Sequence, residues 1–180
     1  MTSHDEAVAA VGQVLRYLEE RNGVRFDPEV LENTPTRWIA FLETATQGMR
    51  VKEPTAVQFE LTDGGTVQLS DVVFHSLCEH HLLPFFGTAS VEYRPRGFVV
   101  GISALVHIVE HHARRLQLQE RMTRDIAYAI AAATGSDEVK VKIDAEHLCM
   151  SMRGVAKPGV RVTTQACASG VSPIDRDENQ

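Results

Sequence analysis

The sequence has few cysteines and no long apolar segment. Both features limit the classes of protein to which it can belong. Only three of its 180 residues are cysteine, and their uneven spacing argues against a disulfide framework. No apolar run approaches the ~20 residues that a membrane-spanning helix needs. The first ten residues also lack the basic-then-apolar pattern of a secretory signal. We therefore expect a cytoplasmic protein with reduced thiols and no membrane partner.

Positive charge is also scarce. Lysine and arginine number 18 against 24 aspartate and glutamate residues, so the net charge is -6. Such a chain as a whole does not suit a polyanion, which excludes nucleic acid as the expected partner. A phosphorylated small molecule would need cations concentrated locally. The length suffices for one domain with a sizeable core.

The first 50 residues carry helical periodicity. Ser3 and Glu6 have the spacing of a capping box before a helix predicted over 5–21. A second helix is predicted to begin at Thr34 and Pro35, with Thr34 as the N-cap. We expect an N-terminal helical segment over 1–50.

From Ala56 the period changes to two, which is typical of strands. A predicted helix pair, with Ser103 capping the first helix and the second near 120–133, interrupts the strands. This order indicates an α+β fold, with a mainly antiparallel sheet and helices on one face. Exposed sheet edges would need cover, which oligomerisation could supply. The predicted division is 1–50, a catalytic domain over 51–168 and a polar tail over 169–180.

Two cysteines and a histidine have the pattern of metal ligands. Cys78 and His81 form a C-x-x-H pair on one turn, and Cys149 follows a predicted strand 71 residues later. Zinc favours thiolate and imidazole, and three protein ligands leave a fourth position for a water molecule. By spacing alone, a structural role for the pair remains an equal alternative, because buried cysteine is often a small apolar residue.

The sequence offers four further histidines and a third cysteine as candidates for a catalytic role. His80 and His147 each lie within two residues of a predicted ligand, and imidazole is the side chain most often used for proton transfer near neutral pH. His111 and His112 are expected to be solvated on a helix surface. Cys167 has no histidine nearby and is expected to be an ordinary small residue.

Four segments make the chain resemble the GTP cyclohydrolase I family. They are TPTR (34–37), SLCEHHLLPFFG (76–87), GIS followed by IVEHHARRLQLQERMT (101–123), and IDAEHLCMSMRGV (143–155). The resemblance covers roughly 34–164, with the motifs in the family's order. It implies the T-fold, in which subunits join their sheets into an oligomeric barrel, as a decamer or octamer with active sites between subunits.

The resemblance also implies residue roles. It makes Cys78, His81 and Cys149 the Zn²⁺ ligands, His80 and His147 the catalytic histidines, and Ser103 a serine near ribose and phosphates. The residues that match substrate contacts are Gln119 and Glu120 at the guanine edge, and Arg37, Arg153 and His107 at the phosphates. The implied reaction opens the imidazole ring of a guanine nucleotide at C8 and releases formate, giving 7,8-dihydroneopterin triphosphate from GTP.

The sequence departs from the family where the phosphates bind. Ala104 and His107 stand where the family has lysine and arginine. Either other cations compensate, or the substrate is a guanine derivative with fewer phosphates. Two alternative functions follow: a specialised paralogue that stops at the ring-opened pyrimidine, and a non-catalytic relative that binds a purine or pterin.

Overall fold

The computed structural model describes residues 2–61 and 64–168, so the predicted tail over 169–180 lies outside the described residues. Within the described part, no helix has the length and apolar character that a membrane crossing requires. The chain divides into two compact units, the first ending at Ala45 and the second beginning at Thr46. Each unit has its own internal packing and is described by itself.

The first unit is a helix pair that begins with helix α1 (His4–Asn22). The predicted capping box is confirmed, because the Ser3 hydroxyl accepts from the backbone N–H of Glu6 and the Glu6 carboxylate accepts from that of Ser3. Gly23 ends the helix in the left-handed conformation, with φ of 64°. A local sequence signal therefore determines both ends of α1.

Helix α2 (Pro28–Ala45) begins well before the predicted start at Thr34, so that prediction is wrong. The Asp27 carboxylate accepts the backbone N–H two residues on, at 2.9 Å, and Pro28 takes the first helical position. Pro35 lies inside the helix and is buried there. Asp27 and Pro28 thus supply the same kind of start signal about two turns earlier.

The second unit is built on a five-stranded sheet. Its strands lie in the order β5-β2-β3-β6-β7, all antiparallel except for the parallel pair β2 and β5. They span β2 (Val67–Cys78), β3 (Pro84–Tyr93), β5 (Leu116–Gln117), β6 (Val139–His147) and β7 (Arg161–Ala168). A separate antiparallel pair joins β1 (Gln58–Glu60) to β4 (Phe98–Val100).

Two long helices of this unit, α3 (Ile102–Ala113) and α4 (Gln119–Thr134), pack on the sheet, and a short helix, α5 (Leu148–Ser151), follows β6. Alternate residues of β6 are buried, while Lys140 and Lys142 between them are exposed. The core is therefore one layer between sheet and helices, and its largest members are Phe74, Phe85, Tyr93, Leu105, Met122, Ile126 and Ile130. The predicted α+β class, with a helix pair against a mainly antiparallel sheet, is confirmed.

Helix α3 differs from its prediction in two respects. Gly101 is the N-cap and makes no side-chain cap bond, so the predicted capping by Ser103 is wrong. His111 and His112 are buried rather than solvated, because α3 presents this side to β2 and α4. Burial lowers the pKa of His112 to about 3, with the charge of Arg115 acting in the same direction, so this imidazole is neutral at physiological pH.

Gly87 allows strands β3 and β6 to pair closely. A Cβ added there would lie 1.9 Å from the backbone oxygen of Asp144 and 2.7 Å from the Cα of Ala145. Both contacts are far shorter than van der Waals distances, and backbone atoms of a central strand cannot move aside cheaply. Glycine is therefore required at this position for the registered pairing of the two strands.

Replacing Gly87 by alanine should separate β3 from β6 locally. We expect the free energy of unfolding to fall by about 1–3 kcal/mol, the usual cost of overpacking. Gly65→Ala is the matched control, because a Cβ there meets no atom within 4 Å. Denaturant titration of both variants measures the difference, and equal stabilities would contradict the role given to Gly87.

Candidate metal centre and active site

The loop between β2 and β3 brings two of the predicted ligands together. Cys78 ends β2, and its carbonyl accepts from the backbone N–H of His81 at 3.3 Å and of Leu82 at 2.9 Å. Leu82 has φ of 52°, an uncommon conformation for a residue with a branched side chain. In this tight loop the Sγ of Cys78 lies 3.5 Å from the Nδ1 of His81. The four residues from Cys78 to His81 thus hold the sulfur and the imidazole side by side.

The third predicted ligand comes from the neighbouring strand β6. His147 pairs with Phe85 of β3, so β6 ends beside the loop, and Cys149 follows in the short helix α5. The ligand atoms of Cys78, His81 and Cys149 all lie within 4.8 Å of one another. Among the described residues, this is the one group of three or more such side chains that could hold a metal ion. The spacing-based prediction is therefore realised as a cluster in space.

The electrostatics of this cluster fit a cation. Burial raises the pKa of the Cys149 thiol, and the neighbouring Cys78 raises it further, since two adjacent thiolates repel each other. Arg153 opposes this shift. A metal ion would remove the repulsion and bind both sulfurs as thiolates, as zinc does in proteins. The donor set of two thiols and one imidazole suits zinc.

His147 precedes Cys149 by two residues and is partly buried. Its ring stacks on that of Phe85, with centroids 4.5 Å apart and planes 1° from parallel. Its Nε2 lies 2.7 Å from the Oε1 of Gln119. Burial lowers the pKa of His147, and the charge of Glu120 opposes that shift. Glu120 therefore acts on the imidazole electrostatically even though its own side chain is exposed.

Two charged residues that the sequence did not point to stabilise the loop of residues 79–83 between β2 and β3, the metal loop. Arg121 of α4 forms an ion pair with Glu79, the residue after the first ligand. Its guanidinium also donates to the carbonyl of Leu116 at 3.0 Å and to the side chain of Gln117 at 3.2 Å. No sequence signal links Glu79 to Arg121, because the pair joins residues distant along the chain.

The other predicted site residues lie in several parts of the fold. Ser103 and His107 lie exposed on α3, and His80 is exposed in the metal loop, with its Nε2 3.9 Å from a carboxylate oxygen of Glu79. Arg37 belongs to the helical unit, where it pairs with Glu29 at 2.9 Å. The roles predicted for these four residues stay predictions.

His107 lines a cleft of about 520 Å³ between α3 and the segment before β1. Lys52 and Arg114 line the same cleft, and Arg114 pairs with Glu110 at 2.8 Å. The ion pairs of the described residues do not include Lys52, which leaves its charge uncompensated there. Because Glu110 offsets the charge of Arg114, the positive charge of this cleft comes mainly from Lys52.

Fold and site together define an α+β protein with a Cys–His–Cys cluster that could hold a metal ion. A family model for GTP cyclohydrolase I matches residues 8–179, and the chain belongs to the GTP cyclohydrolase I family. The GTP cyclohydrolase 1 of Streptococcus sanguinis is 41% identical over 171 residues, covering 94% of this chain and 90% of that protein. The GTP cyclohydrolase 1 of Hyperthermus butylicus is 47% identical over 147 residues, covering 82% and 75%.

Among solved structures, the chain is similar to an archaeosine synthase QueF-like protein in its apo form. The TM-score is 0.43 and the identity 25%, covering 67% of this chain and 100% of that one. A likeness at this TM-score carries no weight for function.

Removing one thiol should empty the metal site without unfolding the chain. We expect Cys149→Ala to lose bound zinc, because two remaining ligands hold the ion poorly. The apolar core extends over the sheet and both long helices, so the fold should not depend on the metal ligands and the far-ultraviolet circular dichroism spectrum should stay unchanged. Cys167→Ala is the matched control, since Cys167 is exposed on β7 outside the cluster. Full zinc content in Cys149→Ala, measured by atomic absorption, would exclude Cys149 as a ligand.

Proposed function

We propose that this chain is a zinc-dependent hydrolase that opens the imidazole ring of GTP at C8 and releases formate. The observation that carries the proposal is the juxtaposition of Cys78, His81 and Cys149 with His147 in a member of the GTP cyclohydrolase I family. A module that only binds a purine would need neither the metal ligands nor the adjacent imidazole.

Cys78, His81 and Cys149 would hold the zinc ion, which when bound supplies an activated water molecule for attack on C8. C8 of guanine is a poor electrophile until N7 is protonated. His147 is the group that we assign to this proton transfer, because it lies next to Cys149 with its ring held in place by stacking on Phe85. His80, exposed in the metal loop, is assigned to a later proton transfer.

Glu120 is the residue that we assign to guanine recognition. Its carboxylate is exposed at the first turn of α4 and near enough to His147 to shift the pKa of that imidazole. A carboxylate accepts from a ring N–H and an exocyclic amine together, which distinguishes guanine from adenine. Ser103 is assigned to the ribose and phosphates, and Arg153, whose charge acts on Cys149, to the phosphates.

The phosphates would find further cations in the cleft that His107 lines. Ala104 is buried in α3 and supplies no charge to the phosphates. Lys52 and Arg114 lie in the same cleft as His107 and supply positive charge there. This arrangement favours a triphosphate substrate over guanosine, and completion of the reaction to 7,8-dihydroneopterin triphosphate.

Assembly into a homo-oligomer, a decamer or octamer, belongs to the same proposal, with active sites between subunits. It is supported by apolar side chains that the sheet-containing unit leaves exposed, namely Val57, Phe59, Val73, Ile102, Met152 and Val155. The two outer strands, β5 and β7, also have edges open for pairing. A cytoplasmic location agrees with the need for reduced thiols at the metal cluster.

The direct test is incubation of the zinc-loaded protein with GTP, GMP, guanosine and guanine. We expect formate and a pterin triphosphate from GTP, identified by mass spectrometry. His147→Ala should keep its zinc and lose ~10²–10⁴-fold in rate, the usual contribution of a general acid. His75→Ala, an exposed histidine of β2, is the matched control. Zinc-loaded parent protein that releases no formate from any of the four compounds would refute the proposal.

The cleft cations should act on the phosphates and not on the base. Lys52→Met should raise the KM for GTP roughly tenfold or more, since a charge-assisted hydrogen bond contributes ~1.5–3 kcal/mol. The KM for guanosine should not change. Lys142→Met, which removes an exposed lysine from β6, is the matched control. Equal effects of Lys52→Met on GTP and guanosine would place the phosphates elsewhere.

A further inference from the structure

Gln119 has a buried side-chain amide, and both ends of that amide make hydrogen bonds. It is the first residue of α4 and is 2% exposed. Its Nε2 donates to the carbonyl of Val162 at 2.9 Å and to the hydroxyl of Thr164 at 3.1 Å, with the carbonyl of Ile143 at 3.4 Å. Its Oε1 lies 2.7 Å from the Nε2 of His147.

These partners determine which way the amide points. Backbone carbonyls only accept hydrogen bonds, so the end of the amide that faces Val162 and Ile143 must be the NH₂ group. The other end is therefore the carbonyl oxygen, which itself only accepts. For the short contact with His147 to be a hydrogen bond, the imidazole must donate from Nε2.

The amide thereby selects a tautomer of His147. A neutral imidazole carries one proton, and with that proton on Nε2 the lone pair is on Nδ1. Nδ1 is then the ring nitrogen that can take up a second proton, forming the imidazolium, and pass that proton to a substrate. Stacking on Phe85 restricts the plane of the ring, and the bond to Gln119 restricts its rotation within that plane. The two contacts together determine where both nitrogens point.

We infer that Gln119 is a positioning residue, which holds His147 in the Nε2–H tautomer and in one orientation, and is not itself a contact to the guanine base. This inference rests on the proposed function, in which His147 transfers a proton to the base. A base contact through the NH₂ group would take a donor from the carbonyl of Val162 or the hydroxyl of Thr164, at a cost that a buried polar group does not recover. The residue is also only 2% exposed, which leaves little of its side chain accessible to a substrate.

The first test separates positioning from base recognition kinetically. Gln119→Met keeps the length of the side chain and removes both its donor and its acceptor. We expect kcat for formate release to fall about 10–100-fold, the usual effect of losing a partner that orients a functional imidazole, with KM for GTP unchanged. Gln119→Glu keeps an acceptor toward His147 and should recover part of the lost kcat.

Two comparison variants make this result specific. Glu120→Gln changes the residue assigned to base recognition and should raise KM and weaken the preference for guanine over adenine nucleotides. Thr123→Val removes hydroxyl contacts to the backbone carbonyl of Gln119 and to Thr164, both at 2.6 Å, without touching the Gln119 amide. It should lose stability but keep kcat. Gln119→Met with raised KM, weakened guanine preference and parental kcat would overturn the inference.

The second test does not depend on turnover. In zinc-loaded protein with ¹⁵N-labelled histidine, the shifts of the His147 ring, assigned through the His147→Ala variant, report which nitrogen carries the proton. We expect the Nε2–H tautomer in the parent and a mixture in Gln119→Met. The Nδ1–H tautomer in the parent would overturn the inference even if formate is released. Absence of formate release together with the Nε2–H tautomer would refute the proposed function and leave the positioning role intact.

Discussion

The antiparallel pairing of β3 with β6 is the constraint on which the candidate site depends. It sets Phe85 opposite His147, so the loop that carries Cys78 and His81 meets the strand end that leads to Cys149. A shift of one residue would turn the side chain of His147 to the other face of the sheet. The close approach at Gly87 maintains this register, because any side chain there would collide with β6.

The metal cluster sits at the edge of a core that does not need it. The buried residues of the sheet and of α3 and α4 form a continuous apolar cluster, to which Cys78 belongs and against which Cys149 packs. This differs from small zinc domains, in which metal binding supplies the folding energy. Here the fold holds two thiols so close together that Cys78, together with burial, raises the pKa of the Cys149 thiol, and a bound cation would remove the repulsion between the sulfurs. The packing energy of the core therefore prepares the site for a metal ion.

Charge in this protein is arranged by position. The chain is acidic overall, yet Lys52, His107 and Arg114 share one cleft, and Arg121 neutralises Glu79 beside the metal loop. Motif comparison suggests a weakened phosphate site because it reads Ala104 and His107 alone. The structure adds that Ala104 is part of the core and that Lys52, from another segment, lines the same cleft as His107. Folding brings such a cation close, and linear motifs do not record it.

The features that could be predicted from the sequence are those that depend on residues close together along the chain or on recognisable motifs. The capping box of α1, the alternation of β6, the α+β class, the three ligand candidates and the family all follow from residues read in order. The start of α2 was missed because Asp27 and Pro28 carry the same local signal as Thr34 and Pro35. Other features are visible only in the folded chain. His111 and His112 are buried. Arg121 pairs with Glu79, and the Gln119 amide is hydrogen-bonded to His147. Burial and pairing at these positions depend on which elements pack together. The sequence does not reveal this, because a helix has the same periodicity whether its polar face meets solvent or a neighbouring strand or helix.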